Sequence, residues 1–279
     1  HKKISMKKIW KYRFYYYLAL PGLIYFIIFH YVPMGGALIA FKDISPFDGL
    51  RGFFDAPWVG FKHFERFTSS VYFLDVIENT LIISGLKILF GFPAPIILAL
   101  LLNEVLRMSL KRIMQTISYL PHFISWVVTA GMITALLATS GGLLTETIND
   151  FTGSNINFLG NKDYFVGILV TSHVWKTIGW SSIIYLAAMS SIDPALYESA
   201  RIDGANRLQM AWHITLPSIM FVIVIMFLLE IGNLLEAGFE QILLLYSPSV
   251  YKVADIIDTF VYREGLLALK YSFAAAVGL

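Results

Sequence analysis

The sequence predicts an all-α membrane protein, and three observations carry that prediction. Only 14% of its 279 residues are charged and 57% are hydrophobic, with a mean hydropathy of +0.67. A soluble domain carries about 25% charged residues. Apolar runs long enough to cross a bilayer recur along the chain, since a spanning helix needs about 20 apolar residues. Lys and Arg concentrate in alternate connections between these runs, as in multi-pass proteins.

Six apolar runs define the predicted spanning helices in chain order. The five complete runs are 14–40, 77–102, 114–139, 164–190 and 214–235. The sixth begins near Tyr271 and provides nine residues, which cannot cross a bilayer as a helix. We therefore expect six transmembrane helices, with the sixth truncated here because the natural chain continues. The first run has no clear small-residue cleavage site after its basic leader, which favours an uncleaved helix over a signal peptide.

The positions of Lys and Arg predict how the chain is oriented in the membrane. If the N-terminus is cytoplasmic, the inside segments hold eleven Lys and Arg in about 50 residues, and the outside segments hold eight in about 95. This asymmetry favours a cytoplasmic N-terminus at 1–13 followed by a single transmembrane domain at 14–279. The segment 193–217 is then a cytoplasmic loop. The external loops are 41–75, 140–163 and 236–270.

One external segment and several absent motifs complete the local analysis. Residues 246–270 could hold a short amphipathic helix with Val253, Ile256, Ile257 and Phe260 on one face. The chain contains no Walker A sequence, no H-E-x-x-H and no G-x-S-x-G. Its six His are scattered without metal-ligand spacing, and it has no Cys. We therefore expect no catalysis, no metal and no disulfide in this chain.

The cytoplasmic segment is unusually polar and patterned for so apolar a chain. Asp193 followed by Pro194 is a helix start, with Asp as N-cap and Pro at the first helical position. Gly204 ends that helix, Asn206 can start the next, and Leu216-Pro217 is predicted to open the fifth spanning helix. Small residues would let another surface approach the backbone, which favours a docking element. An ordinary amphipathic connection between helices is the alternative.

The spacing within this segment resembles a known motif. Glu198-Ser199-Ala200, then Asp203-Gly204-Ala205, then Ile214-Thr215-Leu216-Pro217 resembles the EAA motif of ABC importer permeases. The only departure is Ser199, where Ala is usual. The stretches 57–67 and 115–128 are similar to the carbohydrate-uptake branch, the LplB-like polysaccharide and oligosaccharide permeases. The resemblance covers essentially the whole chain.

The resemblance implies a type I (MetI-like) permease fold and a function in ATP-driven import of a carbohydrate across the bacterial cytoplasmic membrane. The implied partners are a second homologous permease subunit, two cytoplasmic ATPase subunits and an extracellular solute-binding protein. ATP and Mg²⁺ would lie on the ATPase subunits, so the chain itself would be no enzyme and would hold no cofactor. The implied ATPase-coupling residues are Glu198, Ser199, Ala200, Asp203, Gly204, Ala205, Leu216 and Pro217.

Polar and aromatic residues within the spanning runs are candidates for the substrate pathway. Glu236 is predicted to share a helix face with Glu240, four positions on, and with Asn233, three positions back. Aromatic rings can stack on sugar C–H faces, and Asn233 falls in the zone where sugar permeases of this kind often contact substrate. The candidates are Asn233, Glu236, Glu230, Glu240, Trp175, Trp180 and Tyr185.

Each of these residues also has a structural interpretation, and the function has alternatives. Lys87 and Lys176 could each pair with a carboxylate or extend to the membrane interface, and the Trp residues could form packing contacts or an interfacial belt. A secondary transporter would use Lys87 with Glu230, Glu236 and Glu240 as proton sites and would show inverted repeats. A membrane-embedded enzyme would need convergent nucleophiles or metal ligands, which the sequence does not offer.

Overall fold

The computed structural model describes residues 10, 12–47, 49–153 and 156–279, and this part of the chain is helical apart from turns and loops. Its only β-type pairing is an isolated bridge between Lys42 and Trp58. The chain divides into two compact units, one of His1–Ser70 with Phe260–Leu279 and the other of Val71–Thr259. Of the predicted basic N-terminus, residues 1–9 and 11 lie outside the described residues.

The described residues of the first unit include one long helix and several short ones. α1 (Arg13–Phe41) includes a π turn at Ile27–Tyr31 and finishes as a 3₁₀ helix. The short helices are α2 (Gly49–Asp55), α3 (Lys62–Thr68) and α14 (Tyr271–Gly278). Phe67, Phe260 and Phe273 pack together with ring centroids 5.8–6.3 Å apart, so these aromatics form the centre of the unit.

The second unit holds most of the predicted membrane domain. Its helices are α4 (Phe73–Asn103), α5 (Met108–Phe123), α6 (Trp126–Leu137), α7 (Leu143–Thr152), α8 (Lys162–Met189), α9 (Pro194–Ile202), α10 (Arg207–Gly232), α11 (Phe239–Leu245) and α12 (Tyr251–Ala254). The helix α13 (Ile257–Val261) begins in the second unit and ends in the first, where it continues as a π helix at Tyr262–Leu267.

The long helices match the predicted spanning runs. In the described part of the chain, α1, α4 and α10 are each long and apolar enough to cross a membrane, and α5 with α6 would make a fourth span if the bent pair counts as one. α8 has 28 residues, about 42 Å of helix, although Ser, His, Lys and Thr interrupt its apolar sequence. The runs 14–40, 77–102, 164–190 and 214–235 each correspond to one of these helices.

The third predicted run is not the single straight helix that we expected. α5 and α6 are bent by 101° at a break after Phe123. Ile124 is extended, and Ser125 caps α6 by accepting a hydrogen bond from the Val128 N–H at 3.3 Å. Pro121 lacks a backbone N–H, which weakens the helix just before this break.

Short helices do form within 246–270, but the single apolar face that we expected is wrong, because Asp255 separates Val253 from Ile257 and Phe260. Asp255 adopts an extended conformation between α12 and α13, and its carboxylate accepts a hydrogen bond from Thr259 at 2.8 Å. Asn79 on α4 donates to the main-chain oxygens of Lys252 and Asp255, both at 3.1 Å. All four residues expected on one face are nevertheless buried or half-buried. The apolar pattern therefore predicted which residues are buried, but not where the helices begin and end.

Among the described residues of the second unit, two apolar clusters join its helices. One joins α4, α8 and α11 through residues such as Ile83, Phe165 and Ile242. The other joins α4, α8 and α10 around Ala99 and Ile219. Because lipid is as apolar as these side chains, close packing and hydrogen bonds, rather than exclusion of water, stabilise such contacts within a bilayer.

Candidate functional site

The helix α9 has a well-defined, capped N-terminus but has no buried residue. The Asp193 carboxylate accepts a hydrogen bond from the Ala195 N–H at 2.9 Å, and Pro194 occupies the first helical turn. None of the nine residues of α9 is buried. Ile202, at its C-terminal end, is 87% exposed. A defined helix that buries none of its own residues leaves most of its surface available to another molecule.

A glycine turn follows α9, as the sequence predicts. Gly204 has φ +82°, in the left-handed region that glycine adopts without strain. Its N–H donates to the Arg201 carbonyl at 3.1 Å, and the Ala205 N–H donates to the Ala200 carbonyl at 2.9 Å. These bonds satisfy carbonyls that the end of a helix leaves free. The turn therefore has one defined conformation.

The helix after the turn begins with a capping box. The Asn206 side chain accepts from the Gln209 N–H at 2.9 Å, and the Gln209 side chain accepts from the Asn206 N–H at 2.8 Å. The reciprocal pair satisfies two free donors and fixes where α10 starts.

The structure corrects the predicted start of the fifth spanning helix at Leu216-Pro217. α10 already begins at Arg207 and passes through a π turn at Ala211–Thr215, where the Leu216 N–H bonds to the Ala211 carbonyl five positions back. Leu216 and Pro217 therefore lie inside a continuous helix. Because Pro217 has no N–H to donate, the wider turn before it accommodates the missing helical bond.

The π turn also connects α9 to the base of α10. The Tyr197 hydroxyl on α9 lies 2.9 Å from the Thr215 hydroxyl, and Thr215 is buried within that turn. This is a contact between side chains 18 positions apart. A displacement of α9 would therefore act directly on α10.

A groove of about 350 Å³ lies between the end of α9 and the start of α10. It is lined by Ala200, Asp203, Gly204, Ala205, Gln209, Met210, His213 and Ile214. Four of the eight predicted coupling residues thus line one groove. Glu198 and Ser199 lie exposed on α9, and Leu216 and Pro217 belong to α10.

An ion pair places this loop beside the end of α4. Arg207 Nη1 lies 3.4 Å from Glu104 Oε2, and both side chains are substantially exposed. An exposed pair of this kind contributes little stability. It does show that the C-terminal end of α4 and the N-terminal end of α10 lie at the same end of the second unit, as the alternating topology requires.

A buried hydrogen-bond network lies within the spanning helices of the second unit. Lys87 Nζ on α4 donates to the Ala237 carbonyl and to Gln241 Oε1, both at 2.6 Å. Gln241 Nε2 donates in turn to the Leu169 carbonyl and to Ser172 Oγ on α8, both at 2.8 Å. Among the described residues, no carboxylate lies within ion-pair distance of Lys87. The carboxylate partner considered for Lys87 is therefore absent from this part of the chain.

Lys176 occupies the bend between α5 and α6. Its ammonium donates to the carbonyls of Pro121 at 3.2 Å, His122 at 3.1 Å and Ile124. The Trp126 ring lies 5.3 Å from the same nitrogen. A cation at the C-terminal end of a helix satisfies carbonyls and opposes the helix dipole, so Lys176 stabilises the bend.

Lys42, in the first unit, also donates hydrogen bonds to main-chain carbonyls. It is buried, and its Nζ donates to the Phe53 and Phe54 carbonyls at 2.7 and 3.1 Å. Next to it, Lys62 donates to Asp43 at 2.7 Å, and this hydrogen bond lowers the pKa of the Asp43 carboxyl. In the described chain, Lys42, Lys87 and Lys176 each bind main-chain oxygens near a helix end.

The three aromatic pathway candidates lie in different surroundings. Trp180 stacks on His122 with the ring centroids 4.6 Å apart and an interplanar angle of 2°. Trp175 is partly exposed beside two apolar grooves along α8. Tyr185 is only 2% exposed and packs with Ala99 and Ile219. The structure does not bring these three rings together into one platform.

The acidic candidates do not share a helix face, so that expectation is wrong. α10 ends at Gly232, and residues 233–238 form turns and coil before α11. Asn233 caps the end of α10, and Gly238 has φ +93°. We call residues 233–238 the break segment. The side chains of Glu230, Asn233, Glu236 and Glu240 are all exposed on or beside it.

Sequence reasoning missed Gln241, Ser172 and Asp258. Burial, and then the nearby charge of Glu236, raise the pKa of the Asp258 carboxyl, so these two acids lie close together although 22 positions separate them. Gln241 offered one signal, since it is a lone amide before the apolar run Ile242–Leu245. Its partners lie 69 to 154 positions away and could not be identified from local spacing.

The chain belongs to the family of binding-protein-dependent transport system inner membrane components, which residues 91–279 match. It is therefore the multi-pass membrane subunit of an importer, not a catalytic chain, and the predictions of permease class, fold and membrane location are confirmed.

Individual relatives sharpen this assignment. The chain is 46% identical, over all 279 residues, to the polygalacturonan/rhamnogalacturonan transport system permease protein YteP of Bacillus subtilis (strain 168), of which it covers 86%. It is 44% identical over 264 residues to Protein LplB of the same organism, covering 95% of this chain and 82% of LplB. Its structure matches a bacterial alginate ABC transporter, crystallised in complex with an alginate pentasaccharide-bound periplasmic protein, with a TM-score of 0.90 at 42% identity. The match covers 99% of this chain and 91% of that one.

Proposed function

We propose that this chain forms one half of the translocation pathway of an ATP-driven importer for an oligo- or polysaccharide, and that α9 receives the motion of a cytoplasmic ATPase. The observation that carries the proposal is α9 itself, a capped helix with no buried residue that is hydrogen-bonded to the base of a spanning helix. Such a helix can transmit force only if a partner holds its exposed surface.

The names of the relatives support a carbohydrate as the substrate. YteP is a polygalacturonan/rhamnogalacturonan permease, and the matching crystal structure is an alginate transporter. Both substrates are acidic polysaccharides. By similarity, we infer that this chain carries oligosaccharides of the same class.

The proposed partners follow from the same comparisons and from the chain's own chemistry. The alginate transporter was crystallised with its periplasmic binding protein, which supports an extracellular solute-binding protein that docks on the external loops. The chain has no Walker A sequence, so ATP and Mg²⁺ would be held by two separate ATPase subunits. The loop around α9 would bind one ATPase subunit, and a second homologous permease would bind the other ATPase subunit.

The proposed mechanism begins at α9. When the ATPase subunits close on ATP, they displace α9, and the Tyr197–Thr215 contact carries the displacement into α10. The far end of α10 is the break segment with Asn233 and Glu236, the candidate groups for the sugar. With the N-terminus cytoplasmic, as the Lys and Arg distribution predicts, α9 faces the ATPase and the break segment faces the external half of the pathway.

The geometry does not favour a proton-coupled secondary transporter. That function would join Lys87 to the acidic candidates, whereas the Lys87 ammonium binds a carbonyl and an amide oxygen.

Charge reversal and backbone locking in the loop would test the coupling role. The complex would be reconstituted in proteoliposomes with its ATPase, second permease and binding protein. We expect Glu198→Lys and Gly204→Pro to leave the complex in the membrane but to reduce binding-protein stimulation of ATP hydrolysis by about tenfold, equivalent to about 1.4 kcal/mol of lost coupling. The matched control is Arg112→Glu, a charge reversal at an exposed position of α5. Full stimulation in both loop variants would contradict the proposal.

A further inference from the structure

The ammonium group of Lys87, on a spanning helix, is buried and binds the backbone of the break segment, which follows the fifth spanning helix. Lys87 is 5% exposed. Its Nζ bonds the Ala237 carbonyl, the last but one residue of the break segment, and Gln241 on the helix that follows. These partners lie 150 and 154 positions along the chain. The contact therefore joins α4 to the backbone between α10 and α11.

Gln241 extends this contact to a third helix. It is 1% exposed, and its amide donates to Leu169 and Ser172 on α8. Ser172 completes the set by donating to the Ile168 carbonyl at 2.6 Å. Every polar atom of the Gln241 side chain thus has a partner. One hydrogen-bond network therefore connects α4, α8 and α11.

Gly238 makes this close approach possible. Its φ of +93° suits glycine, and a Cβ built there would lie 2.6 Å from Lys87 Nζ. The ammonium therefore occupies the space that a side chain at position 238 would fill. The backbone conformation of the break segment and the position of Lys87 depend on each other.

The rest of the break segment is held by short-range bonds. The Asn233 N–H bonds to Glu230, the Glu236 N–H to Asn233 at 2.9 Å and the Ala237 N–H to Leu235 at 3.1 Å. These bonds shape the turns but do not attach them to another helix. Among the described residues, Lys87 supplies the hydrogen bond that attaches the backbone of this segment to a neighbouring spanning helix.

We propose that Lys87 is a positioning residue for translocation, which holds the break segment and its candidate pathway groups Asn233 and Glu236 in register with α4 and α8. The proposal rests on the proposed function, because it assumes that the break segment lies on the sugar pathway. Lys87 itself is enclosed and does not contact the sugar. Its role is to fix the carbonyl of Ala237, the neighbour of Glu236.

The chemistry of the contact supports a positioning role over simple packing. A buried cation is tolerated when it is well hydrogen-bonded, and an apolar side chain of the same length would fill the space at lower desolvation cost. Lys retains what an apolar side chain lacks, which is a charge-assisted bond of defined direction to one backbone oxygen.

Uptake kinetics give the first test. The full complex in proteoliposomes would import a galacturonan pentasaccharide supplied with the binding protein. We expect Lys87→Met to lower the maximal uptake rate about tenfold, since small displacements of positioned groups have effects of this size or larger, while KM changes by less than about twofold. Lys87→Arg, which keeps a cation and a donor, should recover part of the rate. An unchanged maximal rate in Lys87→Met would overturn the proposal.

A chemical reporter gives the second test and does not depend on the sugar. The chain has no Cys, so Leu235→Cys, at a position 61% exposed in the break segment, introduces a single thiol. We expect Lys87→Met to change the maleimide reaction rate of this thiol in the assembled complex severalfold. Lys42→Met, which removes a buried lysine with the same kind of carbonyl contacts in the other unit, should not change it. Equal rates with and without the Lys87→Met substitution would overturn the proposal.

The two tests separate this proposal from the proposed function. If the unmodified complex does not import the pentasaccharide but the Leu235→Cys rate responds to Lys87→Met, the substrate assignment fails and the positioning role stands. If the unmodified complex imports the pentasaccharide but Lys87→Met changes neither the uptake rate nor the maleimide reaction rate, the positioning role fails and the proposed function stands. Should Lys87→Met not accumulate in the membrane, Gln241→Met removes one acceptor of the same ammonium and serves in its place.

Discussion

The loop around α9 and the network around Lys87 are built on opposite principles. In the loop, the capping and turn bonds join residues two to five positions apart, and α9 buries none of its residues. In the network, the bonds between side chains join residues 69 and 154 positions apart, and its members are buried. The loop is therefore specified locally and is free to bind a partner, whereas the network is specified by the assembled helices and holds them together.

A glycine lies at the centre of each region, and the pair offers the largest contrast. Gly204→Ala and Gly238→Ala should each cost about 1–2 kcal/mol for a left-handed backbone with a Cβ. Nothing lies within 4 Å of a Cβ at position 204, whereas one at 238 meets Lys87 Nζ. Displacing that ammonium should cost a further ~1.5–3 kcal/mol in lost buried hydrogen bonds. We expect a clearly larger fall in the thermal midpoint in detergent for Gly238→Ala. Equal falls in the thermal midpoint for the two variants would show that a Cβ at position 238 does not disturb the Lys87 contact.

The caps of α9 and α8 give a finer comparison within the second unit. Asp193→Ala and Asn161→Ala each remove an N-cap bond of 2.9 Å, worth about 1 kcal/mol. Both variants should lose similar stability. Only Asp193→Ala should also weaken the binding of the ATPase subunits, by up to about fivefold, because only α9 is proposed to bind the ATPase. Equal loss of the ATPase subunits from the purified Asn161→Ala complex would indicate a general effect of stability on assembly.

The smallest expected effect concerns pH and Asp258. Because burial and Glu236 raise its pKa in the folded chain, the ionised form of Asp258 destabilises the fold at neutral pH. That destabilisation disappears as pH falls from the raised pKa towards the usual 3.8. We expect Asp258→Asn to raise the thermal midpoint near pH 7 and to have no effect near pH 4.

A second variant identifies the cause of this pH effect. Glu236→Gln removes the neighbouring charge and leaves the burial, so it should reproduce part of the stabilisation seen in Asp258→Asn. In either variant, a larger rise in the thermal midpoint at low pH than at neutral pH would contradict a raised pKa of Asp258.

The same contrast explains how much of the structure the sequence could predict. The helix start at Asp193-Pro194, the stop at Gly204 and the restart at Asn206 follow from local chemistry, and all three occur as expected. The spanning runs were equally predictable, because the bilayer imposes a long apolar sequence on each. The family followed from the spacing of one motif within this loop.

The errors fall where distant contacts decide local structure. The bend after Phe123 is stabilised by Lys176, more than 50 positions away. The apolar face expected within 246–270 is divided at Asp255, where Asn79 binds the backbone. The backbone that follows Gly232 is attached to α4 by Lys87, 150 positions away. In each place the contacting side chain lies more than 50 positions away in the sequence, so local spacing could not identify it.

The π turn at Ala211–Thr215 has a consequence for the far end of α10. A π turn contains one residue more than an α turn, and each helical residue advances the side-chain direction by about 100°. Every residue from Leu216 to Gly232 is therefore rotated by that angle from where an unbroken α-helix starting at Arg207 would place it. The directions in which these side chains point around the helix axis are therefore set at the end of α10 that adjoins α9. An α turn that kept all five residues of 211–215 would rotate the apolar stripe, and the exit direction of the chain at Asn233, by about 100° towards a different neighbour. Deleting one of these residues would instead keep both directions and shorten the helix by one residue.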